Sequence, residues 1–91
     1  MTPITVRIPT PLRSYTAQSA AVEAFGTTVD DVLRDLDRQF PGLRFRVVDE
    51  QNRLRKHMKI FVGEESTRDL ATTLDGSVDV TLMQALSGGC R

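Results

Sequence analysis

One amphipathic helix is the feature of this 91-residue sequence that most limits the folds it can adopt. The stretch TTVDDVLRDLDRQF, which begins at Thr27, carries apolar residues at the spacing of a single helical stripe: Val29, Val32, Leu33, Leu36 and Phe40. Thr27 or Thr28 can cap its start, and Pro41-Gly42 ends it. Because the stripe needs an apolar surface to pack against, the rest of the chain must supply one.

Alternating apolar residues on either side of this helix predict strands that would form that surface. ITVRI (4–8) alternates clearly, and AAVEAF (20–25) is a weaker strand candidate that could return antiparallel to it after the loop PTPLRSYTAQ. KIFVG (59–63) fits a strand in the middle of a sheet. SVDVTLMQAL (77–86) alternates Val78, Val80 and Leu82 with Asp79, Thr81 and Met83. This order predicts an α+β fold, in which one main helix covers a mixed sheet of four to five strands.

Two stretches carry mixed signals and are expected to connect the strands. In LRFRV (43–47), Leu43, Phe45 and Val47 alternate as in a strand, and the DEQNR that follows at 49–53 has the composition of a turn. EESTRDLATTLDG (64–76) carries turn and short-helix signals.

Composition excludes several functional classes. Twelve basic and twelve acidic residues cancel, so no overall field favours nucleic acid or an anionic membrane. No stretch is apolar enough to span a membrane, no secretory leader is recognisable, and the lone cysteine rules out an internal disulfide. We therefore expect a cytoplasmic protein. Basic residues do gather between 44 and 59, which indicates either a docking side or a solvated face: Arg44, Arg46, Arg53, Arg55, Lys56 and Lys59.

The sequence offers little intrinsic chemistry. His57 is the only histidine, without a partner at triad or metal-ligand spacing, and it fits a surface residue better than a proton shuttle. Zinc-site spacings, a glycine-rich phosphate loop and a nucleophile elbow are all missing. The helix acids are interpreted as solvating its exposed side: Asp30, Asp31, Asp35 and Asp37. We expect no catalysis by the chain itself, no bound cofactor and no metal site.

The last residues, QALSGGCR (84–91), are unusual for the end of a strand. Two glycines weaken a strand and offer no side chain to pack, so they suit a thin, pliable peptide.

Three stretches together resemble the MoaD/ThiS family of sulfur carriers: VRIPTPLRSYT, the helix through KIFVG, and VDVTLMQALSGG. The resemblance runs from Val6 to Gly89 and implies a β-grasp, ubiquitin-like domain over residues 1–86 with a flexible tail at 87–91. It also implies that an E1-like enzyme uses ATP to adenylate the Gly89 carboxylate. A sulfur donor would then form a thiocarboxylate, which supplies sulfur to an acceptor enzyme of a biosynthetic pathway. Gly88 and Ser87 would be the narrow segment that enters the partner.

The chain departs from the common family pattern because Gly89 is joined to Cys90 by a peptide bond and has no free carboxylate. Some family members carry two residues after Gly-Gly, which a JAMM-type zinc peptidase removes. The resemblance therefore implies a precursor cleaved between Gly89 and Cys90. Cys90 could alternatively act as a redox or pairing thiol, or serve only as a recognition side chain for the peptidase.

A carrier needs an outward surface for its activating enzyme. Met83 falls on the exposed phase of the last strand, unless it fills the core at a sheet edge, and Leu86 lies just before the tail. In KIFVG, either Phe61 or the pair Ile60 and Val62 faces the same way, and the pattern does not choose between them. Two other functions remain open: a ubiquitin-like modifier joined to lysines through Gly89, and an interaction domain with an inert tail.

Overall fold

Backbone pairing assembles five strands into one mixed sheet in the computed structural model, which describes residues 3–75 and 78–84. The strands are β1 (Ile4–Arg7), β2 (Ala21–Ala24), β3 (Met58–Val62), β4 (Glu65–Thr67) and β5 (Val80–Gln84). Their order across the sheet is β2-β1-β5-β3-β4. The central pair β1 and β5 is parallel, and the other neighbours are antiparallel. Two α-helices, α1 (Val29–Gln39) and α2 (Leu43–Val47), lie between β2 and β3 in the chain. Neither has the length and apolar character to cross a membrane.

The strand predictions are confirmed at both ends of the chain. Ile4, Val6, Val80 and Leu82 are all buried, in alternation with residues that are at least partly exposed. The weaker candidate, β2, pairs antiparallel with β1, with Ile4 beside Ala24. β3 lies inside the sheet, between β5 and the edge strand β4. The α+β arrangement therefore follows from strands that bury alternate side chains on one face.

The helix α1 forms as its apolar stripe predicts. Val29, Val32, Leu33 and Leu36 are fully buried, and Phe40, just past the helix end, packs partly against the core. Thr28 is the cap: its hydroxyl accepts a hydrogen bond from the Asp31 amide at 3.1 Å. One face of the sheet is thereby closed off from water.

Three connecting segments differ from the prediction. LRFRV forms the short helix α2 instead of an extended segment, because Leu43 and Val47 are also spaced to share one helical face, and both are fully buried. Part of the 64–76 stretch forms β4, whose residues EST carry no apolar pattern because an edge strand needs only backbone pairing. The loop after β1 contains a 3₁₀ helix, Thr10–Thr16, which buries Leu12.

The acids of α1 make specific contacts, so their interpretation as solvating groups is wrong. Asp31 accepts from the Thr27 hydroxyl at 3.0 Å. Asp35 accepts from the Phe25 amide at 3.0 Å, which ties the helix to the end of β2. Asp37 accepts from the Gly42 amide at 3.1 Å, at the start of α2. These carboxylates fix the helix to its neighbours.

Asp30 lies between two guanidinium groups. One of its oxygens accepts from Arg34 at 2.8 Å and the other from Arg44 at 2.9 Å. Burial acts to raise the pKa of the Asp30 carboxyl, but the hydrogen bonds from both arginines outweigh it, so the pKa lies below the ordinary value of 3.8. Asp30 therefore stays ionised in the folded protein at pH values where the unfolded chain already takes up protons.

This shift predicts how acid affects stability. Because the folded pKa is lowered, the contribution of Asp30 is fully present above the unfolded pKa and is lost as the pH falls through the folded one. We expect Asp30→Asn to lower the free energy of unfolding by on the order of 1 kcal/mol near neutral pH, and to flatten its fall between about pH 5 and about pH 2. Urea unfolding across that range measures both. An acid-induced loss as steep as in the wild type would contradict the assignment.

Candidate functional site: the outer sheet face and the end of β5

Along each strand, buried residues alternate with residues that point away from α1. The residues that point away form the other face of the sheet. Strand register places Arg7 beside Thr81, Thr81 beside Phe61, and Phe61 beside Ser66, in one row across four strands. Met83 lies opposite Lys59 in the next row. We call this surface the outer face, defined by Arg7, Lys59, Phe61, Ser66, Thr81 and Met83. Among the described residues, no helix covers this side of the sheet.

The structure decides which residues of β3 face outward. Ile60 is only 1% exposed and lies in the core, whereas Lys59 is exposed and Phe61 partly so. Val62 packs partly against the core. Met83 is 47% exposed, so it does not fill the core at a sheet edge. Phe61 and Met83 therefore share the outer face, two strands apart in sequence but on neighbouring strands in space.

Two grooves border the end of β5, and Gln84 lines both of them. The first, which we call the proline-walled groove, runs between Met83 and the segment after β1, where Pro9 and Pro11 form part of its wall. It continues the apolar surface of Met83 toward the point where β5 ends.

The second groove, which we call the basic groove, has a volume of about 450 Å³. It is lined by Phe45, Arg46, Asp49, Arg55, Lys56, His57, Met58 and Gln84. Of the basic residues that cluster between 44 and 59, only Arg46, Arg55 and Lys56 meet here. Arg44 pairs with Asp30, Arg53 hydrogen-bonds to Gln51, and Lys59 lies on the outer face. His57 is exposed within the groove.

Phe45 is the member of the basic groove that the sequence analysis missed. Because α2 is helical, it buries Leu43 and Val47 and turns Phe45 outward, where 54% of the residue is exposed. The Arg55 guanidinium carbon lies 4.5 Å from the centre of the Phe45 ring, and Arg55 Nε donates to the Phe45 carbonyl at 2.7 Å. The i, i+4 spacing of Leu43 and Val47 was the available signal, because a helix that buries both turns Phe45 toward water.

The remaining predicted site residues lie outside the described residues: Leu86, Ser87, Gly88, Gly89 and Cys90. Their proposed roles stay predictions. The described chain ends at Gln84, between the two grooves, so these residues follow directly from the part of the surface described above.

The described surface has the features of a docking site. Within residues 3–75 and 78–84, no three His, Cys, Asp or Glu side chains are grouped to hold a metal ion. The outer face offers a methionine and an aromatic ring beside charged groups, a combination that suits contact with another protein.

A family model described as the ThiS family matches residues 6–89 of this chain. Among curated proteins, the sulfur carrier protein CysO of Mycobacterium tuberculosis strain H37Rv is 34% identical over 91 residues, covering 94% of this chain and 98% of CysO. The chain is thus similar to this relative along nearly the whole length of both.

Solved structures confirm the expected β-grasp fold. The crystal structure of M. tuberculosis CysO matches with a TM-score of 0.86 and 33% identity, covering 91% of this chain and 99% of that one. The Amycolatopsis orientalis BexX/CysO complex contains a chain with a TM-score of 0.88 and 31% identity, covering 94% and 99%. The small archaeal modifier protein SAMP1 of Haloferax volcanii, at 22% identity, shares the fold with a TM-score of 0.81 and covers 96% and 99%.

The opposite orientations of two adjacent residues give a direct test of the outer face. We expect Met83→Asp to change the free energy of unfolding by less than about 1 kcal/mol, because the side chain already meets water. Leu82→Asp is the matched control, since Leu82 is 1% exposed and a carboxylate there lacks a partner; it should cost at least about 3 kcal/mol. Urea unfolding followed by circular dichroism measures both. Equal destabilisation by the two variants would place Met83 in the core.

Proposed function

Because the chain belongs to the ThiS family, we propose that it is a small sulfur carrier protein that serves as a co-substrate of partner enzymes and is not itself an enzyme. The observation that carries this proposal is the family match, which extends to Gly89, the second of the two adjacent glycines. The identity with CysO over nearly the full length supports the same function.

The proposed reactive group is the carboxylate of Gly89. An E1-like adenylating enzyme joins this carboxylate to the AMP portion of ATP and releases pyrophosphate. Sulfide supplied by a donor then attacks the acyl carbon and displaces AMP, which leaves a thiocarboxylate on the chain. The thiocarboxylate delivers sulfur to an acceptor enzyme of a biosynthetic pathway. ATP is bound by the activating partner, so the carrier needs no cofactor, and we place these steps in the cytoplasm.

Ser87 and Gly88 would lead the carboxylate into the partner. A glycine has no side chain to obstruct a narrow channel, and it adopts the backbone angles that the channel requires at little cost. We propose the division into a β-grasp domain, residues 1–86, and a C-terminal tail, residues 87–91.

The full-length chain is proposed to be a precursor. The peptide bond to Cys90 leaves Gly89 without a carboxylate, and the family match stops at Gly89. A JAMM-type zinc peptidase would hydrolyse this bond, adding water to release Cys90-Arg91 and free the Gly89 carboxylate.

The outer face is the proposed docking surface for the activating enzyme. Met83 and Phe61 lie on it, the proline-walled groove extends it toward Gln84, and Leu86 follows two residues later. Among the structural relatives, a CysO chain of similar fold was crystallised in a complex with BexX. This relative supports the idea that such a domain is recognised by a protein partner.

Chain length at the C-terminus tests the precursor proposal. We expect the chain 1–89, with ATP, the cognate adenylating enzyme and a sulfide source, to gain the mass difference between sulfur and oxygen. The full-length chain should stay unmodified until the zinc peptidase is added. The chain 1–88 is the matched control: it also ends in a glycine carboxylate, but it is one residue too short.

Intact mass spectrometry gives a distinct reading for each alternative. Modification of the full-length chain without loss of Cys90-Arg91 would contradict the precursor proposal. A ladder of conjugates to lysines of other proteins, with no thiocarboxylate, would assign the chain to the modifier class instead.

Docking on the outer face is tested by kinetics. We expect Met83→Asp in the 1–89 chain to raise the KM for adenylation by on the order of tenfold or more, because it places a charge in an apolar contact. Phe61→Ala should have an effect in the same direction. Ser14→Asp, on the exposed 3₁₀ helix, is the control with the same added charge. Unchanged kinetics for both outer-face variants would place the docking surface elsewhere.

A further inference from the structure

We propose that the basic groove is a docking site for an acidic segment of the activating enzyme, a second contact beside the outer face. The proposal rests on the proposed function for the identity of the partner, but the chemistry of the groove stands independently of it. Its cations are Arg46, Arg55 and Lys56, with Phe45 as an aromatic wall.

The charge in this groove is poorly balanced within the chain. Neither Arg46 nor Lys56 forms an ion pair or a side-chain hydrogen bond with another described residue. Asp49 is the one carboxylate in the lining, and its Oδ1 accepts from the amides of Gln51 at 2.9 Å and Arg53 at 3.0 Å. That carboxylate is engaged in closing its own turn. Three basic side chains therefore share the groove with one carboxylate, whose Oδ1 is already engaged.

Four other arginines of the described chain have partners within it. Arg7 pairs with Asp79 at 3.2 Å, Arg34 with Asp30, and Arg38 with Asp35 at 2.6 Å. Arg68 donates to the backbone carbonyls of Leu54, Arg55 and Met58. These contacts give each of the four a role within the domain. Arg46 and Lys56 in the basic groove have no comparable contact with a described residue.

Arg55 is held in place to receive an anion. The Phe45 carbonyl and ring fix the guanidinium through Nε and through the ring face. Its terminal nitrogens, Nη1 and Nη2, donate to no described residue, so their N–H groups can bind a carboxylate. A guanidinium fixed in this way loses little side-chain entropy on binding, and it can contact a carboxylate through two parallel hydrogen bonds.

The groove lies at the end of β5, so its proposed partner is the protein that binds the residues after Gln84. Gln84 is the last described residue of β5, it lines the groove, and it pairs with Met58 of the groove across the sheet. Lys59 and Met83, the next residues on each strand, pair with each other on the outer face. A protein that binds the outer face and takes in the residues after Gln84 lies next to this groove, because Gln84 and Met58 line it.

The chemistry favours an acidic protein segment over a nucleic acid. The whole chain carries no net charge, and a groove with three basic side chains offers few phosphate contacts. Aspartate and glutamate carboxylates can each pair with one basic side chain, and the exposed Phe45 ring can pack against the aliphatic part of such a segment.

Charge removal tests the proposal in the full-length chain. We expect Arg46→Gln/Lys56→Gln to weaken binding to the cognate adenylating enzyme on the order of tenfold at low salt, measured by calorimetry, with the difference shrinking as salt rises. Arg34→Gln/Arg38→Gln removes two charges from the exposed side of α1 and is the matched control, expected to change the Kd less than about twofold. Equal affinity for the groove variant and the wild type overturns the proposal.

A probe that needs no enzyme separates this proposal from the proposed function. Titration of the ¹⁵N-labelled full-length chain with a hexaglutamate peptide should shift the amide signals of residues 45–57 and the Arg55 Nε signal, and these shifts should vanish in the groove variant. Absence of shifts in the wild type overturns the groove, whereas failure of enzyme binding with intact shifts counts only against the proposed function. Tighter binding of a single-stranded oligonucleotide than of the peptide would overturn the acidic-segment assignment.

Thermal unfolding tests whether Arg46 and Lys56 act by supporting the fold instead of by binding the partner. Because neither Arg46 nor Lys56 makes an ion pair or side-chain hydrogen bond within the described chain, the groove variant should keep the Tm of the isolated chain while it loses affinity. A lower Tm that accounts for the weaker binding would show that these side chains support the fold instead.

Discussion

The packing of one helix on one face of a sheet is the constraint from which the rest of this structure follows. In the part of the chain that the structure describes, α1 is the only long helix, and its stripe closes over Val6, Val80 and the neighbouring core residues. The sheet has a second side that no element of the described chain covers. A side left in water with an exposed methionine and a phenylalanine ring is a natural place for another protein to bind.

The parallel pairing of β1 with β5 determines where the end of β5 lies relative to that uncovered side. It places the last strand in the middle of the sheet, so the chain leaves the described structure at Gln84 with a groove on either side. An edge position for β5 would have brought its end next to only one flank of the domain. The central position lets a partner contact Met83 and the groove residues while it receives the segment that follows. The end of β5 is therefore the place where the fold provides the surface that the proposed function requires.

The neutral composition hides an uneven distribution of charge. The carboxylates of α1 are engaged with backbone amides and arginines, as Asp30 is with Arg44 and Asp35 with Phe25, and they hold the helix to the sheet and to α2. Arg46 and Lys56 of the basic groove have no such partner among the described residues. The net charge of zero therefore conceals a few basic side chains that no carboxylate of the described chain pairs with.

The sequence alone determined the stripe and cap of α1 and the alternating strands β1 and β5, because local periodicity encodes them, and it contains the paired glycines at 88 and 89. Only the tertiary structure decided that LRFRV is helical, because the spacing of its apolar residues fits both a strand and a helix. The burial of Leu43 and Val47 selects the helix. The tertiary structure likewise turned Phe61 outward, formed β4 without any apolar pattern, and brought Phe45 and Arg55 together with Gln84. These features depend on contacts between residues distant in the chain, which no window of neighbouring residues encodes.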